Sequence, residues 1–181
     1  MCPGGFHSYS IKLQGLLGTH AIVDQKGVSG ETTISMVKRL PEVMRPMKYS
    51  IVCILGGTND LARYKIENAT TIFSRLQKLY DTVLQNEAKL LIISIPESEF
   101  KDPQYVQLRH DVNALITEYY MKHKAEGHVK YLDLESKIPF NVTTRAPTSL
   151  WSFDGLHMTA LGYDRFGALV FDSISSWIVM Q

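Results

Sequence analysis

The stretch SIVCILGGTND, residues 50–60, decides how this chain is read. Ser50 to Leu55 is an unbroken β-branched and apolar run, the pattern of a strand buried on both faces. Gly56 and Gly57 then permit a tight turn, and Asn59 can donate from its side-chain amide at the rim of that turn. On local sequence alone an Asx-type turn accounts for Asn59 equally well.

Outward from this stretch, helix and strand alternate. Downstream, a long helix is expected over about Asn68 to Gln85, and LLIISI, Leu90 to Ile95, is a second buried strand ending at Pro96. Asp102-Pro103 supplies an N-cap and a first-turn proline for a helix that runs to about Lys124 and closes at Gly127. Val129 to Leu134 reads as the last strand. An irregular segment with Pro139 and Pro147 leads to a final helix, about Ala160 to Val179. Upstream, Ser8 to Leu17 is an amphipathic helix with Ile11, Leu13, Leu16 and Leu17 as its apolar positions and Gly18 past its end. A strand is expected around His20 to Asp24. After Gly27-Val28-Ser29-Gly30 a helix runs from Thr32 to about Leu40, where Pro41 should stop it.

Buried strands separated by helices indicate an α/β fold: a parallel sheet with helices on both faces, joined by right-handed crossovers. Ligands of such sheets bind beyond the carboxyl ends of the strands, so the loops after Asp24, Leu55, Ile95 and Leu134 are expected on one rim. The chain opens with a helix where such a unit would open with a strand.

At 181 residues, 45% hydrophobic and 20% charged, residues 1–181 fit one globular domain. A formal net charge of +1 with scattered Lys and Arg excludes broad attraction to nucleic acid or acidic membranes. Cys53 reads as a small core residue and Cys2 as part of a loose terminus, with no metal-ligand spacing and no call for a cofactor. Residues 1–5 do not read as a signal peptide, and no apolar run is long enough to span a bilayer. A cytoplasmic protein is the default expectation, and the oligomeric state is not legible.

Three segments fall on the expected rim. Gly27 to Thr33 (GVSGETT) follows a strand and opens a helix, where unpaired N–H groups can face a ligand. A glycine-bearing turn of this kind is more often structural. Gly56 to Asp60 is the second. The third is Asp154-Gly155-Leu156-His157, in which an Asp three residues before a His can reach its imidazole, fix its tautomer and stabilise the imidazolium. A lone D-x-x-H is more often a capped turn with a solvated His. Three such segments on one rim are much harder to ascribe to chance.

Together, V-S-G-x-T-T, G-G-x-N-D and D-G-L-H-x-x-x-x-G-Y, in this order, resemble blocks II, III and V of the SGNH, or GDSL-type, serine esterases. The resemblance covers the chain from residue 7 onward. It implies a flavodoxin-like sheet of order 2-1-3-4-5, backbone and side-chain oxyanion donors at Gly30 and Asn59, a general base at His157 and its orienting carboxylate at Asp154. Ser29, Gly57 and Thr58 match positions that shape these turns, and Asp60 is expected to hydrogen-bond within its own turn. The substrate implied is a small acyl ester.

The family's nucleophile block, Gly-Asp-Ser at the tip of a first strand, is absent from these residues. Ser8, Ser10, Ser29 and Cys2 are weak substitutes, and His7, His20, His110, His123 and His128 read as structural or solvated. An N-terminally short domain without its first strand is therefore expected, leaving His20 to Asp24 either paired with Ser50 to Leu55 or poorly paired. A shortened form of an active enzyme is favoured over a relative that has lost catalysis, because the other catalytic positions are filled. The competing readings are a non-catalytic acyl- or carbohydrate-binding scaffold and a flavodoxin-like nucleotide binder. The latter is weakened by the lack of G-x-G-x-x-G and G-x-x-x-x-G-K-[ST].

Overall fold

The computed structural model describes residues 7–63, 65–140 and 149–178. They belong to two compact units, one formed by Lys26–Ile95 with Phe100–Asp133, the other by Met1–Gln25, Pro96–Glu99 and Leu134–Gln181.

The first unit is built on a three-stranded parallel sheet, β1 (Ile51–Ile54), β2 (Lys89–Ile93) and β3 (Val129–Leu132), in the order β1-β2-β3. Cys53 stands opposite Leu91, and Leu91 opposite Lys130. Leu90, Leu91 and Ile92 of the central strand are fully buried, each contributing about 1.5–3 kcal/mol of hydrophobic stabilisation. α4 (Ala69–Gln85) and α5 (Pro103–His123) connect the strands and pack on them. α4 starts where Asn68 accepts from the Thr71 N–H, and it buries Ile72, Leu76, Leu79, Tyr80 and Val83 along one stripe. α5 is capped by Asp102, which accepts from the Gln104 and Tyr105 N–H groups. Its buried Asn113 brackets Ile95, accepting from the Ile95 N–H and donating to the Ile95 carbonyl. One side chain thus replaces a ladder partner just beyond the end of β2.

Some expectations are corrected here. α2 (Thr33–Met44) runs through Pro41 rather than stopping at it. The proline removes a single helical hydrogen bond, and the turn beyond it still closes, Arg45 N–H to Pro41 carbonyl, with Met44 buried. A short helix not foreseen in the sequence, α3 (Thr58–Leu61), follows Gly57. Cys53, expected as a core residue, is only partly buried on β1; desolvation pushes its thiol up to about 12, so it stays protonated. The reading of Cys2 lies outside the described residues.

In the second unit α1 (Tyr9–Leu17) packs on α7 (Ala160–Ile174). Gly167 lets the α1 backbone approach closely at the Tyr9 carbonyl, and the Tyr9 and Phe166 rings lie 4.4 Å apart. His7 Nε2 meets Asp164 Oδ1 at 2.8 Å, which gives this histidine a structural partner. Leu13 and Leu17 of α1 are buried, whereas Ile11 and Leu16, also expected on the apolar face, are exposed. α6 (Leu134–Lys137) takes up the end of the segment expected as a strand, and β3 accordingly stops at Leu132. α7 gives way to a 3-10 turn at Ser175–Trp177, and Val179 lies outside the described residues.

His20 to Asp24 forms no strand. Its backbone is held by a side chain instead: Gln14 donates to the Ala21 carbonyl and accepts from the Val23 N–H. A strand exists only through a ladder partner. Among the described residues this segment has none, and Ile22 is 94% exposed.

Candidate active site

In the second unit the residues around His157 form a tight hairpin. Trp151 and Met158 make an antiparallel bridge, the Ser152 N–H donates to the His157 carbonyl, and the Thr159 N–H donates to Leu150. Gly155 turns the tip at φ +67, a conformation that L side chains rarely adopt. A Cβ there would also run into the Glu99 side chain, and the Glu99 N–H donates to the Gly155 carbonyl at 2.7 Å. Glu99 is a support that sequence reading missed, since no local spacing links it to a turn more than fifty residues on.

Within this hairpin the Asp154 carboxylate does three things. Oδ1 accepts from the backbone N–H of Leu156 at 3.0 Å and of His157 at 2.8 Å, and Oδ2 meets His157 Nδ1 at 2.7 Å. An ionised carboxylate only accepts, so Nδ1 carries a proton, and in the neutral imidazole the lone pair is therefore on Nε2. Among the described residues no hydrogen bond occupies Nε2, and the imidazole is half-exposed. A lone pair on an oriented imidazole can take a proton from an incoming hydroxyl.

Burial alone would raise the Asp154 carboxyl. The backbone N–H groups of His157 and Leu156 and the His157 ring outweigh it and hold the group below the ordinary aspartate range. A carboxyl depressed on folding stabilises the folded state above its unfolded pKa, and that contribution is lost as pH falls through the folded value. A carbon-detected NMR titration of Asp154 should therefore give a midpoint below about 3.9. A midpoint at or above that value would mean that the turn does not hold the carboxylate in solution.

The other two motifs lie in the first unit. Val28 to Glu31 is a turn closed by the Glu31 N–H on the Val28 carbonyl, with Gly30 at its third position and φ +75. That position favours glycine by conformation, and a Cβ would meet no neighbouring atom there. The exposed Gly30 N–H has no hydrogen-bond partner among the described residues. Gly57 is required on both counts: its φ is +104, and a Cβ would press on Ile95 Cδ1 at 2.7 Å. A Cβ on Gly56 would meet Met36 Sδ at 2.9 Å.

Asn59 is half-buried, and its Nδ2 donates to the Glu31 carbonyl at 2.9 Å. Since a carbonyl can only accept, the amide nitrogen must face it, and a second N–H remains for another acceptor. Asp60 departs from expectation. Its carboxylate leaves its own turn and accepts from both the N–H and the hydroxyl of Thr33, at 2.9 and 2.6 Å. Thr33 was not singled out in the sequence, although it is the second Thr of V-S-G-x-T-T.

Of the alternative nucleophiles, Ser8 caps α1, and the Ser10 hydroxyl lies 3.0 Å from both Ser8 Oγ and Gln25 Oε1. Neither bonds His157 among the described residues. Residues 141–148, which include Pro147 of the irregular segment, lie outside the described residues. Among the described residues there is no group of His, Cys, Asp and Glu side chains that could hold a metal ion, and no helix is long and apolar enough to cross a membrane.

Solved structures resemble this chain throughout. The lipase/acylhydrolase from Enterococcus faecalis is 20% identical with a TM-score of 0.75, over 96% of this chain and 87% of that one. A GDSL-like lipase from Bacteroides thetaiotaomicron is 20% identical with a TM-score of 0.73, over 93% and 82%. The psychrotrophic esterase EstA from a Pseudoalteromonas species is 18% identical with a TM-score of 0.73, over 94% and 87%. At these identities the likeness establishes the α/β fold of the GDSL-type hydrolases. No curated protein sequence matches the chain. The model of the GDSL-like lipase/acylhydrolase family matches residues 1–165, most of both compact units, and this chain belongs to that family of ester hydrolases.

Proposed function

We propose that this chain serves a carboxylic ester hydrolase acting on small acyl esters by Ser-His-Asp chemistry. The observation that carries the reading is the Asp154 carboxylate on Nδ1 of His157, with no bond to Nε2 among the described residues, so that the neutral imidazole has its lone pair on Nε2. In the proposed reaction a serine hydroxyl adds to the ester carbonyl while Nε2 takes its proton. The Gly30 N–H and the free N–H of Asn59 donate to the oxygen that becomes negative. Collapse expels the alcohol, which receives the proton from Nε2. Water, deprotonated by the same nitrogen, then releases the acid and restores the serine.

The nucleophile of the proposed reaction is the serine of a Gly-Asp-Ser segment, which residues 1–181 do not contain. Two relatives by fold support the chemistry and the substrate class. The Pseudoalteromonas esterase was solved inhibited by monoethylphosphonate, and Est24 from Sinorhizobium meliloti, 20% identical with a TM-score of 0.70 over 94% of this chain and 86% of that one, is a carbohydrate acetylesterase. The test is hydrolysis of p-nitrophenyl acetate and longer acyl homologues by a chain extended at its amino terminus with an apolar strand ending in Gly-Asp-Ser. Turnover favouring short acyl groups is expected. A folded extended chain with no turnover on any of them would turn the reading to a non-catalytic acyl-binding scaffold.

A further inference from the structure

Asp60 is 1% exposed, and the reaction gives it no step. Its two carboxylate oxygens take the N–H and the hydroxyl of Thr33, itself fully buried, and Arg75 Nη1 lies 3.5 Å from one of them. Arg75 is held in turn by Glu67 at 3.3 Å. The preceding residue, Asn59, bonds the Glu31 carbonyl. Two consecutive residues of the G-G-x-N-D turn therefore grip Glu31 and Thr33, immediately after Gly30. Arg39, six residues beyond Thr33 on α2, adds a bidentate pair to the Glu31 side chain, at 2.8 and 2.6 Å.

We propose that Asp60 is a positioning residue that, through Thr33, fixes the register between the Gly30 N–H and the Asn59 amide so that both can serve one anionic oxygen. The inference rests on the oxyanion role proposed for those two donors. A donor on a free-standing turn would have to be ordered at the moment of reaction, whereas a preorganised one carries no such cost. The grip is chemically matched: an acceptor-only carboxylate meets two donors, and removing either partner leaves buried polar groups unpaired. Asp60 touches no reacting atom and acts only through the first turn of α2.

The test follows the backbone amide of Gly30 and the side-chain amide of Asn59 by 15N NMR in the 181-residue chain during titration with methylphosphonate, a non-covalent tetrahedral anion. In the unsubstituted chain both signals should move with one common dissociation constant. In Asp60→Asn the affinity should fall about tenfold or more, the scale of one charged hydrogen bond, and the two signals should no longer titrate together. Thr33→Val should show the same loss, and Thr33→Ser, which restores the hydroxyl, should recover most of it. A purely structural role would lower the melting temperature of these variants and leave the common titration intact, and that result would overturn the proposal. Should Asp60→Asn fail to fold, the Thr33 pair decides: equal affinities for Val and Ser would overturn it. If the two amides of the unsubstituted chain do not respond together, the oxyanion reading of Gly30 and Asn59 fails, and the positioning role fails with it. A joint response that survives in a folded Asp60→Asn overturns the positioning role alone.

Discussion

His157→Ala, in a chain supplied with the Gly-Asp-Ser strand, is expected to lower kcat for p-nitrophenyl acetate by roughly ten-thousand- to a million-fold. The imidazole is the group assigned to take the serine proton and to return it to the leaving alcohol, so both halves of the reaction depend on it. Its backbone N–H already bonds Asp154, and alanine keeps that bond. The hairpin should therefore survive, and the loss should appear in kcat with the melting temperature little changed. A His157→Ala protein retaining a tenth of the activity would show that another base serves the reaction. His7, held by Asp164 at 2.8 Å, would be the first alternative to substitute.

Asn59→Ala should lower kcat by about a hundred- to a thousand-fold with little change in KM, because an oxyanion donor acts mainly where negative charge develops. Here the structure adds a complication that can be measured. The same amide bonds the Glu31 carbonyl, so alanine removes a brace as well as a donor. Asn59→Asp separates the two effects poorly, since it places a negative charge beside the developing oxyanion. Asn59→Ser is more informative: a hydroxyl can donate to one acceptor at a time, and intermediate activity is expected. Unchanged kcat in both variants would remove Asn59 from the oxyanion assignment.

The parts of the fold that were legible in the sequence are those specified locally. SIVCIL and LLIISI are continuous apolar runs of strand composition, and they became β1 and β2; β2 is buried from Leu90 to Ile93, whereas β1, expected to be covered on both faces, is buried only at Ile54 because it ends the three-stranded sheet. Asn68, Asp102 and Gly127 announced helix ends because capping is decided within a few residues. The contact between Asp154 and His157 was legible for the same reason, since three residues separate the partners.

What was misread depends on distant partners. His20 to Asp24 has strand composition, but strand is a property of a pair, and a glutamine side chain holds this backbone instead. Pro41 looked like a stop because its cost is local, while the burial of Met44 that outweighs it is tertiary. Asp60 was expected to serve its own turn. Its true partner is Thr33, 27 residues away, and nothing in G-G-x-N-D announces that length of reach. The role of Glu99 beneath Gly155 was hidden in the same way.

The central claim, that these residues hold the base and the oxyanion donors of a serine esterase but not its nucleophile, is tested most directly by intact mass measurement after exposure to a serine-directed fluorophosphonate. The 181-residue chain should remain unlabelled, and the chain extended by a strand ending in Gly-Asp-Ser should gain a single adduct on that serine. Stoichiometric labelling of the 181-residue chain, at Ser10, Ser8 or Ser29, or a folded extended chain that stays unlabelled, would contradict it.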